Sequence, residues 1–436
     1  MSRYLNVKES ISRCIPCSML DKTGTIIRSL SVPVAKVNFG LLLILAFSLS
    51  LSTSVVSGAA VLLVLGFFLE GGLADKVKEA LHNPVCQALF FYLGLMVVGL
   101  FWTDDAEKGL SFLLDRWKLM LMPIFLGCIT FEKRWWYLAA FIAGICAVMI
   151  TTYLAWFDLI HFSDVSPEHL TRKTSHVYYN PLLAFAIYVL AQVVIWGKVK
   201  KKFRISGGLL LAVMVVNMFI TEGRCGQLVF FVLLAMLLLR LFRRKMMLAV
   251  GVISITLPLI FMTGYTLSPT FNARVNQAYD EMISYKENPK TSVGRRLLYW
   301  RNSLEIMKGA PWIGVGTGDF EAAYIKVNQK FSPTVTPTDN PHNHYFMVAT
   351  RLGLPGLIAL FTIFIVQLQQ AWCLNDDLRW LRFAFPVFYL VIMLTESYLK
   401  VHATAFFFSM FSAVLFKMPC PHKKSHSSIV TGIDRN

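Results

Sequence analysis

Along this chain, apolar residues gather in long blocks separated by short polar stretches rather than alternating at the spacing of half-buried elements. The first block, Val37 to Leu73, is broken mainly by small and hydroxyl residues, and its length suits two apolar helices joined by a tight turn near Ser52 to Ser54. Further blocks predict helices near Cys86 to Trp102, Leu110 to Thr130, Trp136 to Trp156, Tyr178 to Trp196, Ile205 to Thr221 and Gln227 to Leu241. Others fall near Met247 to Tyr265, Leu354 to Trp372, Phe383 to Glu396 and His402 to Phe416. The pattern therefore predicts an all-α integral membrane protein with about twelve transmembrane helices and both termini on one side.

One stretch does not fit that rhythm. Thr266 to Pro341 is too polar to cross a bilayer, so it is expected to form one long outer loop containing short helices, where function should concentrate. Composition agrees with a membrane protein: of 436 residues, 56% are hydrophobic and only 15% charged. The net charge of +17 is spread between the apolar blocks, which records membrane orientation and argues against nucleic acid as a partner. With the N-terminus inside, Lys and Arg concentrate in the inner loops, and the short outer loops hold only Lys108, Arg172, Lys173, Arg224 and Lys400. Trp102, Trp135, Trp136, Trp156, Trp196, Trp372 and Trp380 all fall at predicted helix ends, where an amphipathic ring belongs. The first 35 or so residues are polar and mixed, and no cleavable signal is predicted.

Candidate chemistry centres on Asn340 to Gly356. Asn340 reads as an N-cap, Pro341 as the first helical residue and Gly353 as the left-handed residue after the last turn, predicting a helix of roughly 18 Å, too short to span. His342 would then sit in the first helical turn, where the dipole opposes a positive imidazolium and attracts anions. The plain alternative is a histidine at a membrane interface beside a helix-packing glycine pair. Arg224 lies in a tight outward turn, Thr221 to Leu228, between two apolar helices, and either snorkels to headgroups or serves a site. In the long loop, Arg295, Arg296, Tyr299, Trp300 and Arg301 make a basic, aromatic helical stretch. The glycines from Gly314 to Gly318 are not a dinucleotide fingerprint, since no strand-turn-helix unit surrounds them.

His342-Asn343, nine residues, then Gly353-x-x-Gly356 resembles the motif of the O-antigen ligase and polymerase family. Arg224 to Leu228 is similar to that family's arginine motif between consecutive helices, and Arg296 matches its arginine four residues before a tryptophan, here Trp300. The resemblance covers mainly Arg224 to Glu396. It implies an inverting glycosyltransferase of the GT-C type in the bacterial inner membrane, with a periplasmic active face. Its donor would be O-antigen on undecaprenyl diphosphate and its acceptor a lipid A-core oligosaccharide, with membrane lipids around it and neither nucleotide, metal nor other cofactor. His342 would act as base, with Arg224 and Arg296 on the diphosphate. Arg295, Arg301, Asn343, Trp300 and His176 are further candidates for binding substrate. Glu396 is an acid near the outer end of a span, expected to pair with an arginine, and His344 is expected to pack.

The organisation expected from these readings is a cytoplasmic segment at 1–36, a first helix bundle at 37–265, a periplasmic loop with the catalytic helix at 266–353, C-terminal spans at 354–417 and a cytoplasmic tail at 418–436. One long outer loop and a modest length favour the ligase over an O-antigen polymerase or a protein O-oligosaccharyltransferase. A transporter or flippase would instead place its polar groups near the bilayer midplane. Asp104, Asp105 and Glu107 read as a solvated acidic loop, and Cys14, Cys17, Cys420, His422 and His426 are too irregularly spaced for a zinc site. Of eight cysteines only Cys225 is placed outside, which leaves no disulfide across the long loop.

Overall fold

The computed structural model describes residues 17–160, 170–171 and 176–418, and among them every regular element is helical. The sequence enters through α1 (Cys17–Ser48), α2 (Thr53–Leu69), α3 (Leu73–His82) and α4 (Pro84–Val98). It continues through α5 (Ala106–Leu114), α6 (Trp117–Met120), α7 (Met122–Cys128), α8 (Arg134–Trp156), α9 (His176–Trp196), α10 (Lys201–Ile220), α11 (Arg224–Leu241) and α12 (Met246–Leu267). The polar insertion carries α13 (Pro269–Ile283), α14 (Ser292–Gly309) and α15 (Phe320–Phe331), followed by α16 (His344–Cys373), α17 (Arg379–Ile392) and α18 (His402–Phe416).

Seven of these helical stretches are long and apolar enough to cross a bilayer, and α2 with α3 forms a pair bent by 116° that would make an eighth. The fold is that of an integral membrane α-helical protein. Part of the difference from twelve has physical causes. The Leu110 to Thr130 block breaks into α5, α6 and α7, because Asp115, Arg116 and Lys118 interrupt it and Pro123 starts α7. The last two helices have only 14 and 15 residues, about 22 Å at most, which is short for a hydrocarbon core of about 30 Å.

Helix α18 is buried along its whole length, as expected of a helix apolar on every face at the centre of a bundle. Its phenylalanines mesh with neighbours in edge and tilted contacts: Phe407 lies 5.0 Å from Phe141 and 5.4 Å from Phe185, centroid to centroid. By contrast α12 buries only Ala249 and Gly264, so its apolar surface faces lipid.

The predicted stop at Gly353 is a break inside α16, with φ 60° and ψ −150°. The break exposes carbonyls that need donors. The glycine-rich segment supplies them: Val315 N–H donates to Thr350 O (2.9 Å) and Gly316 N–H to Arg351 O (3.0 Å), while Leu354 N–H closes on Pro311 O (3.2 Å). A Cβ on Gly353 would stand 2.4 Å from the Trp312 carbonyl oxygen. Gly353→Ala is therefore expected to destabilise the protein by about 2 kcal/mol or more, read as a lowered unfolding midpoint in detergent. An unchanged midpoint would show that the segment yields freely.

Candidate active site

The Arg224 turn is set by its small residues. Gly226 lets α11 close onto α9, since a Cβ there would lie 2.4 Å from the Asn180 backbone carbon. Gln227 Nε2 donates to Thr221 O (3.1 Å) and Met218 O (3.3 Å), satisfying carbonyls at the end of α10. Arg224 thus starts α11 with its guanidinium outward, where Nη2 donates to Gln277 Oε1 (2.9 Å) and Nη1 lies 3.9 Å from Glu281 Oε2. Glu281 also accepts from Val293 N–H (2.9 Å) at the start of α14, tying α13 to α14.

Helix α14 starts at Thr291, whose hydroxyl accepts from Gly294 N–H (3.1 Å). Ser292, Val293, Arg296, Leu297 and Trp300 then share one face, and all five line a cavity of about 410 Å³. Arg224, Glu222 and Arg274 line another side, and Thr395, Glu396 and Tyr398 a third. Among the described residues no carboxylate pairs with Arg296, whereas Arg274 binds Glu222 at 2.7 Å. Arg295 and Arg301 point away from the cavity, exposed on the rest of α14, because they are 100° and 140° from Arg296 around the helix. Neither residue lines this cavity.

The histidine segment also departs from expectation. Asn343, not Asn340, is the N-cap of α16: its Oδ1 accepts from Tyr345 N–H (3.0 Å) and Phe346 N–H (3.2 Å), and its Nδ2 donates to Leu394 O (2.9 Å). Both ends of the Asn343 amide are engaged in holding the helix start. His344 N–H donates to Met393 O and Met347 N–H to Asn343 O, so the first turn keeps no spare donor for an anion. His342 therefore precedes the helix, in the left-handed region at φ 51°. An Asx turn holds it there, with its N–H donating to Asn340 Oδ1 (3.1 Å).

The ring of His342 stacks on Tyr299 at 5.9 Å and its Nδ1 meets Glu396 Oε2 at 2.5 Å. Glu396, expected to pair with an arginine, is thus held by the histidine. Its other oxygen accepts from Asn340 Nδ2 (2.9 Å) and Ser397 N–H (2.8 Å). Burial by itself would raise the Glu396 carboxyl, but the bonds and charge from His342 and the donors from Ser397 and Asn340 outweigh it and hold it below its ordinary value. When the imidazole is neutral, an ionised Glu396 takes the Nδ1–H bond and leaves Nε2 as the free ring nitrogen. Trp300 joins the two halves, its indole donating to Pro341 O at 3.1 Å.

Sequence reading thus missed the partner of His342, 54 residues further along. His344 packs as expected, buried with Nε2 3.2 Å from the Tyr92 hydroxyl. Asp104 and Asp105 fold into the Asp319 carboxylate through their backbone N–H groups, at 2.8 and 2.9 Å. The side chain of His176 lies outside the described residues, as do those of Cys14, Cys17, Cys420, His422 and His426.

A family model described as O-antigen ligase matches residues 209–361, a stretch that contains Arg224, Arg296, His342, Gly353 and Gly356. Over that stretch the chain is similar to the O-antigen ligase family. An uncharacterized protein of Haemophilus influenzae is 34% identical over 113 residues, a stretch that is 24% of this chain and only 28% of that relative. Glu396 lies beyond the O-antigen ligase match, on the segment between α17 and α18.

Proposed function

We propose that the protein is a membrane glycosyltransferase that joins O-antigen, delivered on undecaprenyl diphosphate, to a hydroxyl of the lipid A-core oligosaccharide. The observation that carries this reading is the shared cavity: Arg224, Arg274 and Arg296 line it together with Glu396, the carboxylate that grips His342. Its position at the outward ends of α11 and α14 suits an active face on the periplasmic side of the inner membrane. Residues 266–353 form the catalytic insertion in this reading, between a first bundle and the C-terminal helices.

The chemistry follows from the charges. Nε2 of His342 takes the proton of the acceptor hydroxyl as its oxygen attacks the anomeric carbon. The bond from that carbon to the diphosphate oxygen breaks, and the leaving diphosphate carries away the electron pair. Attack opposite the leaving group inverts the anomeric centre. Arg224 and Arg296 can each present a planar fork to the phosphate oxygens, stabilising charge that grows as the bond breaks. Activation is already stored in the diphosphate ester, so the step uses no nucleotide and no metal. Trp300, at the cavity wall, stacks on a sugar ring in this reading.

Glu396 acts through His342 by fixing its tautomer and ring plane. Glu396→Gln is expected to lower kcat by about 10- to 100-fold with a smaller change in KM, and to alter the acidic limb of the pH-rate profile. A profile and kcat like wild type would remove Glu396 from the mechanism. The depressed Glu396 carboxyl also stabilises the fold above the ordinary glutamate range, and that stability is lost as pH falls through the folded value. The difference in unfolding midpoint between wild type and Glu396→Gln should therefore shrink below about pH 4.5.

The test of the function is the lipopolysaccharide ladder of a deletion strain complemented with wild type. Restored O-antigen on lipid A-core supports the ligase. Core carrying a single repeat unit in the deletion strain would make the protein a polymerase, and an unaffected ladder would remove lipopolysaccharide as the acceptor.

A further inference from the structure

A second cavity, of about 330 Å³, is lined by Trp196, Arg240, Phe242, Arg243, Arg244 and Lys245. It lies at the C-terminal end of α11, 18 residues and roughly 27 Å from the Arg224 end, so on the opposite face of the bilayer from the candidate active site. Four cations meet there, and no acid is among the lining residues. Arg240 is held by aromatic faces instead, 3.9 Å over Trp196 and 5.2 Å over Trp380. Arg243, Arg244 and Lys245 are not tied by any carboxylate among the described residues.

From its geometry we infer that this cavity binds the phosphodiester headgroup of an anionic phospholipid. Charge complementarity selects a phosphate, and the arginines can grip its oxygens in forks while the tryptophans sit at headgroup depth. The surroundings select a lipid over a free phosphate. Helix α12 begins next to Lys245, and Met246, Met247, Leu248 and Val250 at its start are all exposed, offering acyl chains an apolar track directly beneath the headgroup. The site is independent of the glycosyl-transfer reading.

The test uses the full chain, purified in neutral detergent, stripped of lipid and titrated with dioleoyl phosphatidylglycerol under native mass spectrometry. The expected result is one retained phosphatidylglycerol at concentrations where phosphatidylcholine is not retained, with millimolar inorganic phosphate failing to displace it. Arg243→Gln/Arg244→Gln should weaken retention about 10- to 30-fold. Lys200→Gln/Lys201→Gln, equal in charge but outside the cavity, should change it less than about threefold. Should the double variant not fold, the exposed single variant Arg244→Gln should still weaken retention about fivefold. Equal retention of the two lipids, equal loss in both double variants, or displacement by phosphate would each overturn the site.

Discussion

Replacing His342 by asparagine is expected to slow glycan transfer by about 10²- to 10⁴-fold, the range for loss of a general base, while the protein still folds and inserts. Asparagine is the informative choice. His342 sits at φ 51°, where most residues are strained by about 1 kcal/mol or more, and asparagine is among the few that tolerate it. His342→Asn therefore removes the imidazole without asking the backbone to move. Little core is lost either, since the side chain is 35% exposed, and Glu396 keeps its donors from Asn340 and Ser397. The measurement is a single-turnover assay with reconstituted protein, donor glycolipid and acceptor, beside an unfolding curve. A rate within tenfold of wild type at an unchanged midpoint would remove His342 from the proton transfer.

How much of this was readable beforehand depends on the range of the interaction that decides it. Apolar blocks are set by the bilayer itself, so α8 to α12 and α18 fall within a few residues of their predicted limits, as does the turn between α1 and α2. The selection of Arg296 over Arg295 was also within reach, because one helical turn puts Arg296 and Trp300 on a common face. Choosing the N-cap was not. Asn340 and Asn343 are equally good caps in isolation, and the choice is made by Leu394 O, Met393 O and Glu396 on a distant segment. The His342–Glu396 pair has the same origin. An acid between two short apolar helices carries no local mark of its partner, so the sequence points to the helix dipole where a carboxylate holds the ring. The glycine-rich segment was similarly opaque: its N–H groups serve a helix break about 35 residues further on, which no local pattern discloses.

Arg296→Lys is expected to lower kcat by about 10²-fold with folding intact, and Arg224→Lys by a similar factor at some cost in stability. The charge survives in both variants, so a loss of that size would report the planar fork, which an ammonium cannot reproduce on two phosphate oxygens. The two positions should differ in stability because their neighbours differ. Arg224 is bonded to Gln277 and sits near Glu281, the residue that ties α13 to α14, so its replacement loosens that junction and lowers the unfolding midpoint. Among the described residues Arg296 has no acid partner to abandon, so lysine at its half-buried position leaves none of them unpaired. The double lysine variant should lose less than the product of the single losses if both forks hold one diphosphate, since residues that act as a unit are non-additive. Arg295→Lys, exposed on the other side of the helix, should stay within about threefold of wild type. Strict multiplication of the single effects would instead place the two arginines on separate groups of the substrate, and the shared clamp would be abandoned.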